Sequence, residues 1–589
     1  MKALRRAASV AIAVVGATTI LIALSSRTLG DPDLGWHLAT GRSIWAHGSI
    51  PRVDDLAHAQ APIRYVVVVS DLLLYLAARA FGVLGLQIFG ALLALVTAAL
   101  IAAQGRWKPA ALFTAALAVA ALNAWVSPSA APFSYPLLAT TMLLLDRHRH
   151  DPDSRAGRRS LYAVVPLLFV WANTHGSIVI GVATVLGYAL YRLAARTAKG
   201  RAGTFLPERD GRHAIPAILV AVAALLAATL NTGGPRILLG SLRFGEVLTN
   251  VIEWQPPTFE LLIRDEPLVL VLGALGLAAL VVGREEGDVR RRIPTLFDLL
   301  AITLSIASVT RMTRMIPLAA VVIAPIAARR LAWIVPRSRA IELCASASLL
   351  LAGAFMAVRP TTANGVGFDP KLFPVEATSF VEAARPAGRM WNFWPFGGYL
   401  AWRLGPERKV LMDGRNTLAH DRALVVRSNA SILEPAAFES LVDDFDLQWA
   451  ITGAAASDVE AGIGTGVARS TRFAMIYLDD VAAVYARKDG PNAELARGGY
   501  RWLRHDMPPD LILQVAVAAP GDPRRNALAH DGDLARRQAP VSMRSAFIAA
   551  CGAIAAMDDQ KLESALEALS RLGAAPSLVA AIREARSVR

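Results

Sequence analysis

The chain alternates long apolar runs with short polar loops over its first 358 residues. The first apolar run covers residues 7–26, and a series of others follows between residues 65 and 358. Several of these runs approach the ~20 residues that a helix needs to cross a bilayer, and the pattern predicts about 11 crossings. We therefore expect an α-helical polytopic membrane protein.

The pattern changes after residue 358. Short strand-like runs alternate with helical stretches up to residue 489, which predicts a small α/β domain over 359–489. The expected strands are 409–412, 449–452, 474–477 and 481–485, and the expected helices 374–384 and 435–445. From residue 490 to 589 the spacing is helical, as in 542–557 and 559–572, and resembles paired helices of the tetratricopeptide (TPR) type in a single degenerate copy.

Composition and charge narrow the class of protein. The chain is 54% hydrophobic, which excludes a soluble enzyme, and its formal net charge is +14. Such a charge suggests nucleic acid in a soluble protein, but here the basic residues concentrate in short loops between apolar runs, near 106–108, 147–159, 192–201, 284–292 and 329–339. Because this is the positive-inside pattern, we expect no nucleic-acid partner. The chain has 2 cysteines, too few for a disulfide framework.

The positive-inside rule also predicts the topology. A cleaved signal peptide is one interpretation of residues 1–26, but we favour an uncleaved first helix with a cytoplasmic N-terminus. If the apolar run 65–81 spanned the membrane, the Arg-rich loop 147–159 would fall outside, so we interpret 65–81 as a juxtamembrane or re-entrant helix. Residues 1–358 then form the transmembrane domain, and the tail is extracytoplasmic.

The first outer loop, residues 27–64, is rich in ionisable groups. It carries four acids and three histidines, namely Asp31, Asp33, Asp54, Asp55, His37, His47 and His58. A polar loop of this kind beside a helix end suits chemistry on a membrane-borne substrate. The alternative is that Asp31 and Asp33 cap the helix that follows them, and the local sequence favours neither interpretation.

Motifs elsewhere in the chain occur in a fixed order with this loop. They are DPDLGWHLATGRSIWAHGSIP, WANTHGSIVIG, IEWQPPTF, RMIP, FGGYLAW and VLMDGR. Together they resemble a family of bacterial membrane proteins of the GT-C glycosyltransferase superfamily, akin to polyprenyl-phosphate-sugar-dependent mannosyl- and arabinosyltransferases. The resemblance covers residues 29–487. Two features depart from the family pattern, since Val66–Val69 and Ser127-Pro128 stand where relatives carry a His-Glu-Trp-like group and an Arg-Pro.

The resemblance implies a lipid-linked sugar donor and an acidic residue that acts beside it. Asp33 or Asp31 would be the general base, with His37 on the same helical face, or Asp31 and Asp33 would hold a divalent metal such as Mg or Mn. Arginines suit the donor phosphate because they bind it in a bidentate manner. The expected substrate contacts are Arg42, Arg64, Asp71, Asn173, His175, Glu253, Arg311 and Arg314.

Two functions from different classes remain open at this point. The first is a membrane glycosyltransferase that transfers a sugar from a polyprenyl-phosphate donor to an extracytoplasmic glycan, lipid or protein. The second is a non-catalytic membrane anchor whose tail binds partners in the cell envelope. Loss of turnover on replacing Asp33 in a folded protein would separate them.

Overall fold

A computed structural model of the chain describes residues 2–59, 61–63, 66–197, 205–206, 211, 213–241, 252–284, 294–336, 338–416 and 419–587. The chain forms two compact units. Unit 1 comprises Met1–Asp31 and Arg64–Gly367, and unit 2 comprises Pro32–Ile63 and Phe368–Arg589. Most of the first outer loop, which the sequence boundaries group with the transmembrane domain, therefore folds with the tail.

The helices of the described residues are numbered in chain order. Those of the first 358 residues are α1 (Lys2–Ser25), α2 (Leu34–His47), α3 (Val68–Gln104), α4 (Pro109–Ala121), α5 (Ser134–His150), α6 (Arg155–Ala172), α7 (Ile178–Thr197), α8 (Ala214–Ala228), α9 (Arg236–Ser241), α10 (Pro267–Val282), α11 (Leu296–Val309), α12 (Ile316–Leu331) and α13 (Arg339–Val358). All of these except α2 belong to unit 1.

Unit 2 adds shorter helices and a sheet. Its further helices are α14 (Val375–Ala384), α15 (Trp394–Leu404), α16 (Arg422–Leu433), α17 (Pro435–Phe445), α18 (Ala456–Glu460), α19 (Thr465–Ala468), α20 (Ala493–Arg497), α21 (Pro509–Ala516), α22 (Pro523–Gln538), α23 (Met543–Ala556), α24 (Asp559–Arg571) and α25 (Pro576–Ser587). Its strands are β1 (Arg389–Asn392), β2 (Leu447–Gly453), β3 (Phe473–Leu478) and β4 (Ala482–Arg487).

Apolar helices dominate unit 1. Within the described ranges, four helices are long and apolar enough to cross a membrane by length and composition, namely α1, α3, α7 and α13. Four shorter apolar helices, α4, α8, α10 and α11, also belong to unit 1. Because these fall below the ~20 residues of a full crossing, the number of spans stays a prediction.

Helix α3 contains a break where the sequence predicts the end of the juxtamembrane segment. Gly82 has φ 64° and ψ −160°, a conformation that glycine adopts without the clash of a Cβ. The apolar run 65–81 therefore ends at this break, and residues 83–104 continue as a second helical stretch. Tyr65 lies outside the described residues, and the helix begins at Val68.

Small residues let the helices of unit 1 approach closely. A Cβ on Gly16 in α1 would lie 2.6 Å from the backbone nitrogen of Leu350 in α13, and one on Gly353 would lie 2.8 Å from Thr19. The surrounding core is rich in fully buried alanines. Such interfaces are typical of helices that associate by close packing in an apolar surrounding.

The sheet of unit 2 has the strand order β1-β2-β4-β3, with β1 parallel to β2 and the other neighbours antiparallel. Strands β2, β3 and β4 overlap the expected runs 449–452, 474–477 and 481–485. The expected strand 409–412 is not formed, and Val410 makes only an isolated bridge with Ala57. Strand β1 was not expected. Its four residues are too few to show a period.

Helices α2 and α15 cross within unit 2 at two glycines. A Cβ on Gly35 would overlap the backbone of Gly398, so only glycine permits this approach. The motifs DPDLGWH and FGGYLAW, which lie 360 residues apart, therefore pack on each other. This contact explains why unit 2 includes the outer loop.

Candidate functional site

In unit 1, a hydrogen-bonded polar group lies at the start of α5. The Ser134 hydroxyl is 3.1 Å from His175 Nδ1 and 2.6 Å from the Ser177 hydroxyl, which accepts a hydrogen bond from Trp171 Nε1. The backbone N–H of Ser177 also points at His175 Nδ1, at 3.2 Å. Because Nδ1 accepts this bond, the neutral imidazole carries its proton on Nε2.

The next residue of α5 lies among the charged residues that the sequence singled out. The buried Tyr135 hydroxyl donates to the Trp125 carbonyl and lies within electrostatic reach of Asp31, Glu253 and Arg314. An acid of the first outer loop and an acid and an arginine of later loops thus act electrostatically on the residue that follows Ser134 of the histidine group.

Arg314 is partly exposed and contacts Glu253 and Trp254. Its Nη1 lies 3.4 Å from Glu253 Oε2, and its guanidinium lies 5.6 Å from the centre of the Trp254 ring. The side chains of Arg314 and Glu253 are 32% and 53% exposed, so both reach solvent. A partly exposed arginine beside an aromatic ring is suited to an anionic ligand such as a phosphate.

Other expected contacts of unit 1 have structural partners. Asn173 donates through its amide to the carbonyls of Phe169 and Leu230, which ties α6 to the end of α8. Its own carbonyl accepts from Val69 at the start of α3, where Asp71 is fully buried. Arg311 is exposed just after α11. Arg64 lies outside the described residues.

In unit 2, Asp33 occupies the N-cap position of α2 but makes no capping hydrogen bond with its side chain. Its Oδ1 accepts instead from the Trp36 indole N–H, at 3.0 Å. The carboxylate is partly exposed, whereas His37, on the same helix, is 3% exposed. The observed geometry thus does not show the capping role that was the alternative to catalysis for Asp33.

Arg42 has a different position from the one expected of a phosphate contact. Its guanidinium donates to the carbonyls of Ala401 and Trp402, at 2.9 and 3.0 Å, and lies 5.0 Å from the centre of the Trp402 ring. These carbonyls belong to the last turn of α15, which has no intrahelical donors for them. Arg42 therefore caps α15 in this structure.

A buried ionic cluster in unit 2 was underestimated from the sequence. Arg415 donates to both oxygens of Asp54, each at 3.0 Å, and to Asp413 at 2.8 and 2.6 Å. Burial alone would raise the pKa of Asp413, but the Arg415 guanidinium and a hydrogen bond from His420 outweigh it and hold that pKa well below its usual range. The sequence did not predict this cluster, because nothing in it links Asp54 to Arg415, 361 positions later.

The expected metal site has no support in the described part of the chain. No three His, Cys, Asp or Glu side chains of these residues group closely enough to hold an ion. Asp33 Oδ1 accepts a hydrogen bond from the Trp36 indole N–H. A metal at Asp31 and Asp33 stays a prediction, and no chemical step is assigned to one.

Comparison with solved structures shows that the chain has a fold like that of an archaeal oligosaccharyltransferase. No protein-family model matches it, and no curated protein matches its sequence. The oligosaccharyltransferase of Archaeoglobus fulgidus in complex with zinc and sulfate matches with a TM-score of 0.51 and 13% identity, over 93% of this chain and 85% of that one. The apo form of the same enzyme matches with a TM-score of 0.51 and 11% identity, over 82% of this chain and 75% of that one.

ArnT from Cupriavidus metallidurans, solved with undecaprenyl phosphate, matches with a TM-score of 0.47 and 15% identity, over 81% of this chain and 97% of that one. At these identities the two oligosaccharyltransferase structures define the fold alone. The chain shares that fold.

Proposed function

We propose that the chain is a glycosyltransferase of the bacterial inner membrane that transfers a sugar from a polyprenyl-phosphate donor to an extracytoplasmic acceptor. The observation that carries this proposal is the hydrogen-bonded His175 group at the start of α5, whose neighbour Tyr135 lies in the electrostatic field of Asp31, Glu253 and Arg314, in a chain with the fold of an oligosaccharyltransferase. The N-terminus is cytoplasmic and the tail extracytoplasmic in this proposal.

The proposed reaction is an inverting displacement at the anomeric carbon of the sugar. A carboxylate, Asp31 or Asp33, takes the proton of the acceptor hydroxyl, whose oxygen forms the new bond to carbon. The bond from that carbon to the donor phosphate breaks, and the phosphate oxygen leaves with the electron pair. Arg314 offsets the negative charge that develops on the phosphate.

His175 has a separate part in the proposal. With its proton on Nε2, the neutral imidazole is a hydrogen-bond donor, which suits a contact to a sugar or phosphate oxygen rather than the role of base. Ser134 and Ser177 hold the ring in this orientation.

The alternative function is a non-catalytic anchor whose tail binds envelope partners. It is favoured by Arg42 and Asn173, two expected substrate contacts whose polar atoms hold helix ends instead. The same experiment tests both functions.

The experiment compares purified wild type with Asp31→Asn and Asp33→Asn for binding and turnover of a panel of polyprenyl-phosphate sugars. We expect transfer or donor hydrolysis by wild type and a loss of about 100-fold or more in the variant that lacks the base. Asp444→Asn, at an exposed acid of unit 2, is the matched control and should retain full turnover. Failure of the folded wild type to bind any donor would overturn the proposal and favour the anchor.

A further inference from the structure

Gly414 of the tail lies directly against the side chain of Asp33 within unit 2. A Cβ built on Gly414 would lie 2.5 Å from Asp33 Oδ1, which is closer than non-bonded atoms approach. The next nearest atom, Trp36 Nε1, would be 3.4 Å away. Asp33 is therefore the one close obstacle among the described residues to a side chain at position 414.

The backbone conformation of Gly414 does not itself require glycine. Gly414 is absent from the glycines with positive φ, so an alanine there is unstrained. The missing Cβ thus makes room for the Asp33 carboxylate rather than for an unusual turn.

The residues on either side hold Gly414 in place. Arg415 joins Asp413 to Asp54 through five hydrogen bonds, counting its backbone N–H to Asp413 Oδ1 at 3.0 Å. The side chains of these three residues are almost completely buried, at 6%, 0% and 0% exposure. Because Asp54 comes from the same outer loop as Asp33, the cluster fixes Gly414 relative to the segment that carries Asp33.

We propose that Gly414 is a positioning residue that sets the direction of the Asp33 carboxylate. Asp33 Oδ1 lies against Gly414 and accepts the Trp36 indole N–H, and a side chain at position 414 would block this orientation of the carboxylate. The tail then contributes to catalysis by orienting an acid of the first outer loop, besides any recognition of the acceptor. This role in catalysis rests on the proposed glycosyltransferase function.

An alanine at position 414 should displace the carboxylate and leave the backbone unchanged. The Asp33 carboxylate is the end of a flexible side chain, so it can rotate away from the new methyl group and give up its bond to Trp36. The stability cost is small for this reason. The cost to catalysis is large, since a misplacement of about 1 Å at a reacting group can lower the rate about 100-fold.

The experiment combines turnover with a double-mutant cycle on thermal stability. Gly414→Ala is made in wild type and in Asp33→Ala, and Gly521→Ala is the control because nothing lies within 4 Å of a Cβ at that position. We expect Gly414→Ala to lower kcat about 100-fold, to leave KM for the donor within about threefold, and to lower Tm by about 2 °C. In the Asp33→Ala protein the same change should leave Tm unaltered, and Gly521→Ala should match wild type in every measurement.

Two results would overturn the proposal. An equal fall in Tm with and without the Asp33 carboxylate would show that the alanine clashes with something else, and unchanged kcat in Gly414→Ala would show that the orientation is not used. If wild type turns over no donor, the proposed function fails, and with it the catalytic role. The stability cycle still decides, independently of activity, whether Gly414 contacts and orients Asp33.

Discussion

Two arginine–carboxylate pairs, one in each unit, are held in opposite ways. In unit 1, Arg314 and Glu253 are joined at 3.4 Å by side chains that are 32% and 53% exposed. In unit 2, Arg415 and Asp54 are joined at 3.0 Å by side chains that are 6% and 0% exposed. The first pair can exchange its partner for a ligand, whereas the second has no access to one.

This difference in exposure gives the same two residue types, an arginine and a carboxylate, a structural role in one pair and a possible binding role in the other. A buried arginine with a full set of acceptors stabilises the chain only while every partner remains, because each removed charge leaves another without compensation. An exposed pair contributes little to stability and can serve binding. For these two arginine–carboxylate pairs, burial and not residue type therefore distinguishes a structural role from a possible role in binding.

The largest expected effect is that of Arg415→Gln. It leaves the buried carboxylates of Asp54 and Asp413 without their cation, and removal of one partner of a buried pair costs ~3–5 kcal/mol. We expect the free energy of unfolding to fall by that amount, or the variant to fail to fold. The measurement is denaturant unfolding of the purified protein in detergent.

The control for this variant is Arg427→Gln, which removes an exposed pair with Asp444 on the surface of unit 2. Its expected cost is below ~1 kcal/mol. Equal losses in the two variants would contradict the structural role of the buried cluster.

Much of the fold follows from the sequence because local patterns determine it. The helix at 435–445 was predicted with the bounds that α17 shows. Helices α14 and α24 differ from prediction by one residue at one end, and α23 by one residue at each end. Strands β2, β3 and β4 also overlap the predicted runs. The TPR-like character of the last helices stays a prediction.

Features that depend on distant contacts could not be predicted. Arg149 and Arg329 were counted as loop charges from the positive-inside pattern, yet both are buried in α5 and α12 and pair with Asp298 in α11. Their separation in the sequence hides the pairing. The contact of Gly414 with Asp33 likewise joins residues 381 positions apart, so it could be found only from the structure.

The site residues expected from the sequence stay predictions. Of them, His175 is hydrogen-bonded to Ser134 at the start of α5, and Asp31, Glu253 and Arg314 act electrostatically on the neighbouring Tyr135. Ser134 and Tyr135, which connect them, were missed. They lie in an apolar stretch in which a serine and a tyrosine carry no signal of their own.

Lowering the pH is expected to reduce the stability of the fold by an intermediate amount. Burial lowers the pKa of His58, with a further contribution from Arg389, and burial lowers that of His505, each to about 4. Since the unfolded value is about 6.5, the unfolded chain binds more protons between these values, and stability is lost as the pH falls from about 6.5 to 4. Asp413, whose pKa is depressed, adds a loss only below about pH 4.

The measurement is Tm as a function of pH for wild type and for the double variant His58→Gln/His505→Gln. We expect the fall in Tm between pH 6.5 and 4.5 to be smaller in the double variant. His47→Gln, at an exposed histidine of the same loop, should follow the wild-type curve. A double variant with the wild-type dependence on pH would assign the acid sensitivity to other groups.

The smallest effect on stability is expected at Arg314. Because Arg314 and Glu253 are exposed and 3.4 Å apart, Arg314→Gln should change the free energy of unfolding by less than ~1 kcal/mol. If Arg314 binds the donor phosphate, the same variant should lower kcat/KM for the polyprenyl-phosphate sugar at least about tenfold, the loss expected for a charge-assisted hydrogen bond of ~1.5–3 kcal/mol.

Arg264→Gln, at another exposed ion pair of unit 1, is the matched control and should retain wild-type stability and turnover. A large loss of stability in Arg314→Gln would place this residue with the scaffold and remove the distinction between the two pairs, and unchanged kcat/KM would exclude it from the donor site.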